Sequence, residues 1–271
     1  MIIIRSIILA LFLLYVTSYS QEEKPIIKIH YIGHSSFIMQ FDDDISVLTD
    51  YGTSNAWGLD SPIYDINDFQ PTIVTYSHTH HIDHFDSARV PNAQYIFKEP
   101  NTLELDGLEI TPIQTCEKEL GANDVTSYLF EYKGLKILHL ADAQAYITNI
   151  YEDSVRQKVK ELYPERVDLL FMTIGFYKDI SKSAEEFLYF LKPQNAILMH
   201  YWSKDEKDNF LNIIDSQKVN NHREYEIIKI DDSKYFLFEN DKNKENLEII
   251  KVISLEPKPF TEIKQEVNND E

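Results

Sequence analysis

The chain has 271 residues, of which 43% are hydrophobic, and this length and apolar content are those of a globular chain that can bury a large core. It contains one cysteine, Cys116, which excludes an internal disulfide. The formal net charge of −19 argues against nucleic acids and anionic lipids as partners, because an acidic surface repels phosphate groups.

The N-terminus has the pattern of a secretory signal peptide over residues 1–20. One positive charge, Arg5, precedes an apolar run at residues 7–16, and Ser18 and Ser20 place small side chains at the two positions that a signal peptidase inspects. A run of roughly ten apolar residues is short for a membrane-spanning helix. We therefore expect cleavage before Gln21, export to the periplasm or the medium, and no stable membrane partner afterwards. The alternative is an uncleaved membrane anchor, since three isoleucines near the start extend the apolar stretch.

We expect one domain over residues 21–255, followed by an acidic, disordered tail at residues 256–271. Apolar runs bounded by Gly, Asn and Asp predict eight strands in the first half of this domain. The predicted strands are Ile26–Tyr31, Ser36–Phe41, Ile45–Leu48, Ile73–Tyr76, Tyr95–Lys98, Leu108–Ile113, Thr126–Tyr132 and Lys136–Leu140.

The second half of the domain changes to alternating helices and strands. The predicted elements are helices at Val155–Leu162, Ser183–Leu191 and Asp205–Ile214, strands at Val167–Met172 and Ala196–Met199, and a hairpin over Glu224–Phe238. We expect Ser183 to cap its helix, with Glu185 and Glu186 in the first turn, where negative charge suits the helix dipole. A β-rich first half followed by inserted helices predicts an α/β sandwich.

A histidine cluster directly follows the apolar run Ile73–Tyr76. The segment Ser77–Asp86 contains four of the nine histidines within seven residues, together with Asp83. Neutral imidazole is the commonest protein ligand of zinc, and carboxylate oxygens complement it. A rigid strand that ends in an exposed loop suits a preorganised site. The segment therefore predicts a metal site rather than a solvated polar loop.

This segment resembles the metallo-β-lactamase superfamily, which carries a His-x-His-x-Asp-His motif after an apolar strand. The resemblance implies a four-layer αββα sandwich. It also implies that the first two histidines of the motif hold one metal, and that Asp83 and His84 hold a second.

The start of the motif can be placed in two registers. His78 and His80 match it if the chain bulges by one residue, and a bulge is an inexpensive way to redirect side chains. Without a gap, Thr79 and His81 would occupy the same two positions, and the first histidine would be lost. We favour His78 and His80 as ligands and expect His81 to point away from the metal.

Four further segments extend the resemblance over residues 26–202, in the expected order. They resemble the branch of ascorbate-6-phosphate lactonases and related zinc-dependent hydrolases, and they are Ile32–Phe37, Leu48–Asp50, Gly134–Asp142 and Lys192–Tyr201. The resemblance implies that Asp142 bridges two metals, with Ala141 in place of the usual glycine before it. It implies that His200 binds the second metal.

One histidine that the resemblance implies is missing. A third ligand of the first metal should follow the strand that ends near Ile113, and Cys116 stands there. A thiolate is a good zinc ligand, so Cys116 is a candidate, and Glu117 is a second one. The alternative is that Cys116 is a free, buried cysteine. We expect His34 and His139 to lie behind the ligands or in the core.

The resemblance implies a zinc-dependent hydrolase with one or two Zn²⁺ ions, or another divalent ion such as Mn²⁺. Asp83 and Asp142 are the expected catalytic carboxylates, because they hold the metals whose bound hydroxide attacks the substrate. We expect a small-molecule substrate with an ester, lactone, amide or phosphodiester bond. The aromatic residues expected to wall the pocket are Trp57, Phe176, Tyr177 and Trp202.

Two other interpretations stay open. The extra residue in the motif, the missing histidine and Ala141 favour a degenerate, non-catalytic relative that binds a ligand or partner. A purely structural zinc is the third interpretation, and it is disfavoured because such sites are usually rich in cysteine. Metal content distinguishes the hydrolase from the non-catalytic relative, since a dinuclear hydrolase should purify with about two metal ions per chain and a binding relative with none.

Overall fold

Two facing β-sheets form the centre of the molecule. The structure, a computed structural model, describes residues 25–42, 45–60, 62–89, 93, 95–97, 101–175, 179–230, 235–239 and 249–260. The strands are β1 (Ile26–Gly33), β2 (Ser36–Phe41), β3 (Ile45–Thr49), β4 (Ile73–Thr75), β5 (Tyr95–Phe97), β6 (Leu103–Leu105), β7 (Leu108–Thr115), β8 (Val125–Tyr132), β9 (Leu135–His139), β10 (Leu169–Thr173), β11 (Asn195–Met199), β12 (Tyr225–Ile230), β13 (Phe236–Glu239) and β14 (Ile250–Leu255). The helices are a short 3₁₀ helix (Ala56–Gly58), α1 (Gln144–Thr148), α2 (Asp153–Leu162), α3 (Ser181–Leu191) and α4 (Lys204–Asn220).

Each sheet combines an antiparallel part with a parallel part. The first sheet has the order β13-β1-β2-β3-β4-β5, in which β3, β4 and β5 run parallel. The second has the order β12-β14-β11-β10-β9-β8-β7-β6, in which the strands from β12 to β9 run parallel. The predicted α/β class, with two sheets and helices, is confirmed.

The main core lies between the sheets and continues into the helices. Phe37 of β2 reaches across to Phe171 of β10, with ring centroids 4.5 Å apart. The same apolar cluster includes Val159 of α2, Phe187 of α3 and Phe210 of α4, all fully buried. Burying one such side chain contributes roughly 1.5–3 kcal/mol. This packing holds the strand ends in fixed relative positions.

A second apolar cluster lies on the other face of the first sheet. Its buried members are Ile32, Ile38, Leu48, Tyr51, Ile63, Ile66, Val74, Tyr76 and Phe260. Within the described ranges, loop residues cover this face and no helix contributes to the cluster. The described loop residues 51–60 and 62–69 therefore have a structural role as well as lying near the site.

The ten predicted strands outside the hairpin are confirmed to within two residues at each end. The third predicted helix is α4, which continues six residues beyond Ile214. Its N-cap is Ser203, whose hydroxyl accepts a hydrogen bond from the backbone N–H of Glu206 at 3.3 Å.

Two local predictions are wrong. The hairpin over Glu224–Phe238 does not exist, because β12 pairs with β14 in the second sheet and β13 pairs with β1 in the first. Ser183 lies inside α3, which begins at Ser181, and its hydroxyl bonds to the carbonyl of Ile180. The carboxylate of Asp179 accepts the backbone N–H of Ser181 instead. Strands β6 and β14 and helix α1 were not predicted.

Two predictions fall outside the described residues. The proposed signal peptide at residues 1–20 is one of them, and most of the proposed tail, residues 261–271, is the other.

Within the part of the chain that the structure describes, no helix combines the length and apolarity needed to cross a membrane.

Candidate metal centre

Six of the nine histidines lie together at one edge of the two sheets. They are His34, His78, His80, His81, His84 and His200. The parallel strands β3, β4, β9 and β11 all end at this edge, and the residues that follow them include Asp50, Ser77, Asp142 and His200. The crevice beyond the carboxyl ends of parallel strands is where ligands bind in α/β folds. Residues distant in sequence thus form one cluster.

The most buried group of candidate ligands consists of His34, Asp83, His84 and His200. Their ligand atoms all lie within 4.8 Å of one another. The Oδ2 atom of Asp83 is 3.1 Å from Nε2 of His34 and 3.6 Å from Nε2 of His84. The Nε2 atoms of His84 and His200 are 3.3 Å apart. Imidazole nitrogens and a carboxylate oxygen that face one point are the donor types that zinc takes.

Asp142 lies in the middle of the cluster. Its Oδ2 atom is 4.0 Å from Nε2 of His78 and 4.0 Å from Nε2 of His84. Its Oδ1 atom is 3.3 Å from Nε2 of His200 and accepts a hydrogen bond from the side-chain amide of Gln144. Its carboxylate therefore faces the histidine loop with one oxygen and β11 with the other.

A third group of candidate ligands joins His81, Glu117 and Asp142, again within 4.8 Å of one another. The Nε2 atom of His81 lies 3.7 Å from Oε2 of Glu117. Glu117 is only 6% exposed, and its backbone N–H is anchored to the carboxylate of Asp124 at 3.0 Å. Asp142 thus belongs to two groups of candidate ligands, one with His78 and His84 and the other with His81 and Glu117.

The imidazole of His84 is held from behind by two polar side chains. Its Nδ1 atom is 3.1 Å from Oδ2 of Asp50 and 3.1 Å from the hydroxyl of Ser77. The same hydroxyl lies 2.9 Å from Nδ1 of His78, and Asp50 accepts the backbone N–H of Ser77 at 2.7 Å. Contacts of this kind fix the tautomer and the orientation of a metal-binding histidine. They leave the Nε2 atoms of both histidines directed at Asp142.

Burial and charge set the protonation of the cluster. Burial, together with the charge of His84, lowers the pKa of His78 to about 3, so its imidazole is neutral at pH 7. Burial acts against the charge of His84, but carboxylates led by Asp50 outweigh it and raise the pKa of His84 to about 9. Burial also opposes the charge of Asp142, but histidines led by His200 hold its pKa below the usual range. An ion that binds His84 must therefore displace a proton.

The residues of the cluster fit a divalent ion. The Nε2 atom of His78 is buried and has no hydrogen-bond partner among the described residues. It faces Asp142 at 4.0 Å, which is beyond hydrogen-bond range. Buried polar atoms are nearly always partnered, and an unpartnered imidazole nitrogen beside ionised carboxylates suits a cation. Two ligands that each lie about 2.1 Å from one ion are separated by roughly 3–4 Å, as these atoms are.

The structure keeps both ligands of the bulged register near each other and adds a third histidine. His78 is buried and faces Asp142, as the bulged register predicts. His80 is exposed, but its ligand atom lies within 4.8 Å of those of His78 and His81, so the three histidines form a further group of candidate ligands. The expectation that His81 points away is wrong, because His81 lines the cavity beside Glu117. The extra residue in the motif leaves both His78 and His81 at the site.

The structure does not bring Cys116 to the cluster. Its side chain is fully buried, and its sulfur accepts the backbone N–H of Gly121 at 3.2 Å and lies 3.9 Å from the hydroxyl of Tyr146. Adjacent residues at the end of an extended strand point to opposite sides. Cys116 therefore faces the interior, while Glu117, the second candidate, faces the cavity.

His34 was not among the predicted ligands, yet it lies in the most buried group. It occupies the turn between β1 and β2 with a φ of 54°, and its ring lies 4.1 Å from that of His200. Burial, followed by the charge of His200, lowers the pKa of His34 to about 4, so it is neutral at pH 7. The signal that could have identified it is a histidine in a tight turn at the edge of the site. His139, by contrast, donates from its Nε2 atom to the backbone carbonyl of Ser35 and contacts core aromatics, as expected.

A cavity of about 240 Å³ opens onto the cluster. It is lined by Trp57, His81, Asp83, Glu117, Lys118, Asp142, Gln144, His200 and Trp202. The indole N–H of Trp57 donates to Oδ1 of Asp83 at 3.1 Å, although 64% of Trp57 is exposed. Two of the four predicted aromatic residues, Trp57 and Trp202, thus line the cavity, while Phe176 and Tyr177 lie outside the described residues.

Comparison with known proteins identifies relatives at the level of family and fold. A family model described as "Beta-lactamase superfamily domain" matches residues 28–200. No curated protein sequence matches the chain.

Several solved structures are similar in fold. A proposed zinc-dependent hydrolase of the metallo-beta-lactamase superfamily from Thermotoga maritima is 20% identical, with a TM-score of 0.56 over 84% of this chain and 99% of that one. The metallo hydrolase Igni18 from Ignicoccus hospitalis is 18% identical, with a TM-score of 0.51 over 70% and 91% of the two chains. The isothiocyanate hydrolase from Delia radicum gut bacteria is 15% identical, with a TM-score of 0.52 over 79% and 100%.

Proposed function

Since the chain belongs to the beta-lactamase superfamily, whose domain model matches residues 28–200, we propose that it is a metal-dependent hydrolase of a small molecule. One observation carries the proposal. Asp142 belongs to two groups of candidate ligands, one with His78 and His84 and one with His81 and Glu117, and its Oδ1 atom also lies 3.3 Å from Nε2 of His200, so one carboxylate can serve two cations. A binding relative without metal would have no need for so many ionisable groups in one buried place.

The residues divide into two sets around Asp142. Asp83, His84 and His200 would hold one ion, and His78 would hold the other. When bound, divalent ions supply Lewis acidity and lower the pKa of water at the site. Gln144 fixes the rotation of the Asp142 carboxylate through its hydrogen bond.

The cavity determines what the site can accept. At about 240 Å³ it suits a small molecule rather than a polymer. Trp57 and Trp202 offer apolar surfaces against which a substrate can be oriented and from which water is excluded, and Trp57 also holds Asp83 in place. An ester, a lactone or an amide suits an acidic protein best, and a phosphodiester is the remaining candidate.

Four finer points belong to the proposal. Zn²⁺ is the ion that we propose for the histidine-rich set, with Mn²⁺ as the alternative. We propose that the chain belongs to the branch of ascorbate-6-phosphate lactonases and acts on the same class of substrate. The signal-like residues 1–20 support the proposal that the protein is exported. The negative net charge supports the proposal that it has no nucleic-acid or membrane partner.

The experiment combines metal analysis with turnover. The full chain should purify with about two divalent ions, and it should hydrolyse at least one member of a panel of generic esters, lactones, amides and phosphodiesters. Chelation should abolish turnover and added Zn²⁺ or Mn²⁺ should restore it. Asp106→Asn, at an exposed turn, is the matched control and should behave as the wild type. A wild-type chain with neither metal nor turnover would establish the binding relative instead.

A further inference from the structure

Glu117 stands at the place where the resemblance implies a third imidazole. Strand β7 ends at Thr115, and the next residue, Cys116, turns inward. The backbone on either side is tied down: the N–H of Glu117 bonds to Asp124, and the carbonyl of Cys116 accepts the N–H of Ala145 at 3.1 Å. These bonds leave the Glu117 side chain on the cavity wall with little freedom to turn away.

The contacts of the Glu117 carboxylate are those of a ligand. Its Oε1 atom pairs with the ammonium group of Lys118 at 2.7 Å. Its Oε2 atom faces Nε2 of His81 at 3.7 Å, too long for a hydrogen bond but within the roughly 3–4 Å expected between two ligands of one ion. Asp142 completes the group within 4.8 Å.

A second observation concerns His78, which also faces the carboxylate of Asp142. The Nε2 atom of His78 is buried, unpartnered among the described residues and aimed at the same carboxylate. Three buried carboxylates, those of Asp83, Glu117 and Asp142, line one cavity. Burying so much negative charge is costly unless cations compensate it.

We propose that Glu117 ligates the first metal together with His78, His81 and Asp142, and that its carboxylate, in place of a third imidazole, shifts the metal's preference toward Mn²⁺. Carboxylate oxygens suit Mn²⁺, whereas additional imidazoles favour Zn²⁺. Every such site binds Zn²⁺ more tightly in absolute terms, so the quantity that Glu117 changes is the ratio of the two affinities. The inference rests on the proposed metal-dependent function.

The test measures metal binding rather than turnover. Dissociation constants for Zn²⁺ and Mn²⁺ are obtained by competition with a fluorescent chelator, and bound Mn²⁺ is followed by electron paramagnetic resonance. Glu117→Gln should weaken Mn²⁺ binding by about 10–100-fold, because even the loss of a residue that only hydrogen-bonds a ligand lowers metal affinity by that factor. Glu117→His should restore Zn²⁺ binding but not Mn²⁺ binding, and should raise the Zn²⁺-over-Mn²⁺ ratio by about tenfold or more.

Two controls separate the alternatives. Glu119→Gln removes an exposed carboxylate two residues away and should leave both constants unchanged. Thermal unfolding of the chelated proteins checks that each variant folds. The Co²⁺-loaded wild type should lack a thiolate-to-cobalt charge-transfer band, and Cys116→Ser should leave its spectrum unchanged.

Three results would overturn the inference. If the wild type binds metal and neither Glu117 variant changes the affinities or their ratio, Glu117 is not a ligand, while the proposed function stands. If a thiolate band is present and Cys116→Ser removes it, Cys116 is the ligand. If the wild type binds neither ion, the proposed function fails and this inference fails with it.

Discussion

Gly52 lies where the segment after β3 passes close to the histidine loop, residues 77–86. Its replacement should displace the backbone of Asp83 and so disturb the metal site. The neighbouring N–H of Thr53 donates to the carbonyl of Ile82 at 2.7 Å. A Cβ atom on Gly52 would lie 2.5 Å from that carbonyl oxygen and still closer to the backbone of Asp83. Since ordinary contacts of a Cβ atom begin at 3.4 Å, Gly52→Ala must push the loop by about 1 Å.

The magnitude follows from this displacement. Overpacking of this kind costs about 1–3 kcal/mol of unfolding free energy, which corresponds to a fall of roughly 2–10 °C in Tm for a chain of this size. A metal site tolerates shifts of only about 0.2 Å in ligand distance. Moving Asp83 by about 1 Å should therefore lower metal occupancy, and turnover should fall by about 10²-fold.

The assay pairs calorimetry with metal analysis on Gly52→Ala and a control. Gly107→Ala is the matched control, because a Cβ atom at Gly107 meets nothing within 4 Å. Its φ of 84° still costs about 1–2 kcal/mol of backbone strain. The control should lose stability without losing metal. If Gly52→Ala kept wild-type Tm, metal content and turnover, the close approach of these two segments would be refuted.

Three further predictions concern the site, the core and the N-terminus. Asp142→Asn should lower turnover by about 10²-fold or more with little change in folding. His200→Ala should empty mainly one of the two metal sites. If Asp142→Asn kept the full metal content and full turnover, the dinuclear proposal would be contradicted. Arg223→Met should lower the free energy of unfolding in urea by about 3–5 kcal/mol, because it removes the guanidinium group that donates at 2.8 Å to both oxygens of the buried Glu185 carboxylate and leaves the negative charge with the hydroxyl of Tyr225. An unchanged midpoint would show that the pair is dispensable. N-terminal sequencing of protein from the producing cell should begin at or near Gln21, and an intact Met1 would contradict export.

Most of the strands could be predicted because their signal is local. An apolar run such as Ile73–Tyr76, with a polar cluster at its end, indicates both a buried strand and a site at its end. The resemblance to a known family implies the metal roles of Asp142 and His200, and each residue also follows an apolar strand that ends at one edge of a sheet. The strand predictions themselves need only the chain on either side of each residue.

The pairing of β12 and β13 could not be predicted in this way. Two β-patterned segments close in sequence normally predict a hairpin. Here β12 pairs with β14 and β13 pairs with β1, so the segments belong to different sheets. The choice of partner depends on long-range packing, which the local pattern does not contain.

Local sequence patterns were enough to predict the α/β class and the histidine loop, because periodicity and the residue at a strand's end are properties of neighbouring positions. The metal roles of Asp142 and His200 follow instead from the resemblance to the metallo-β-lactamase superfamily. The tertiary fold fixes which side chains complete the cluster. It turned Cys116 into the core and Glu117 toward the cavity, and it brought His34 from another turn. Those outcomes depend on which face of a strand end meets the opposite sheet, and a shift of one residue reverses that face.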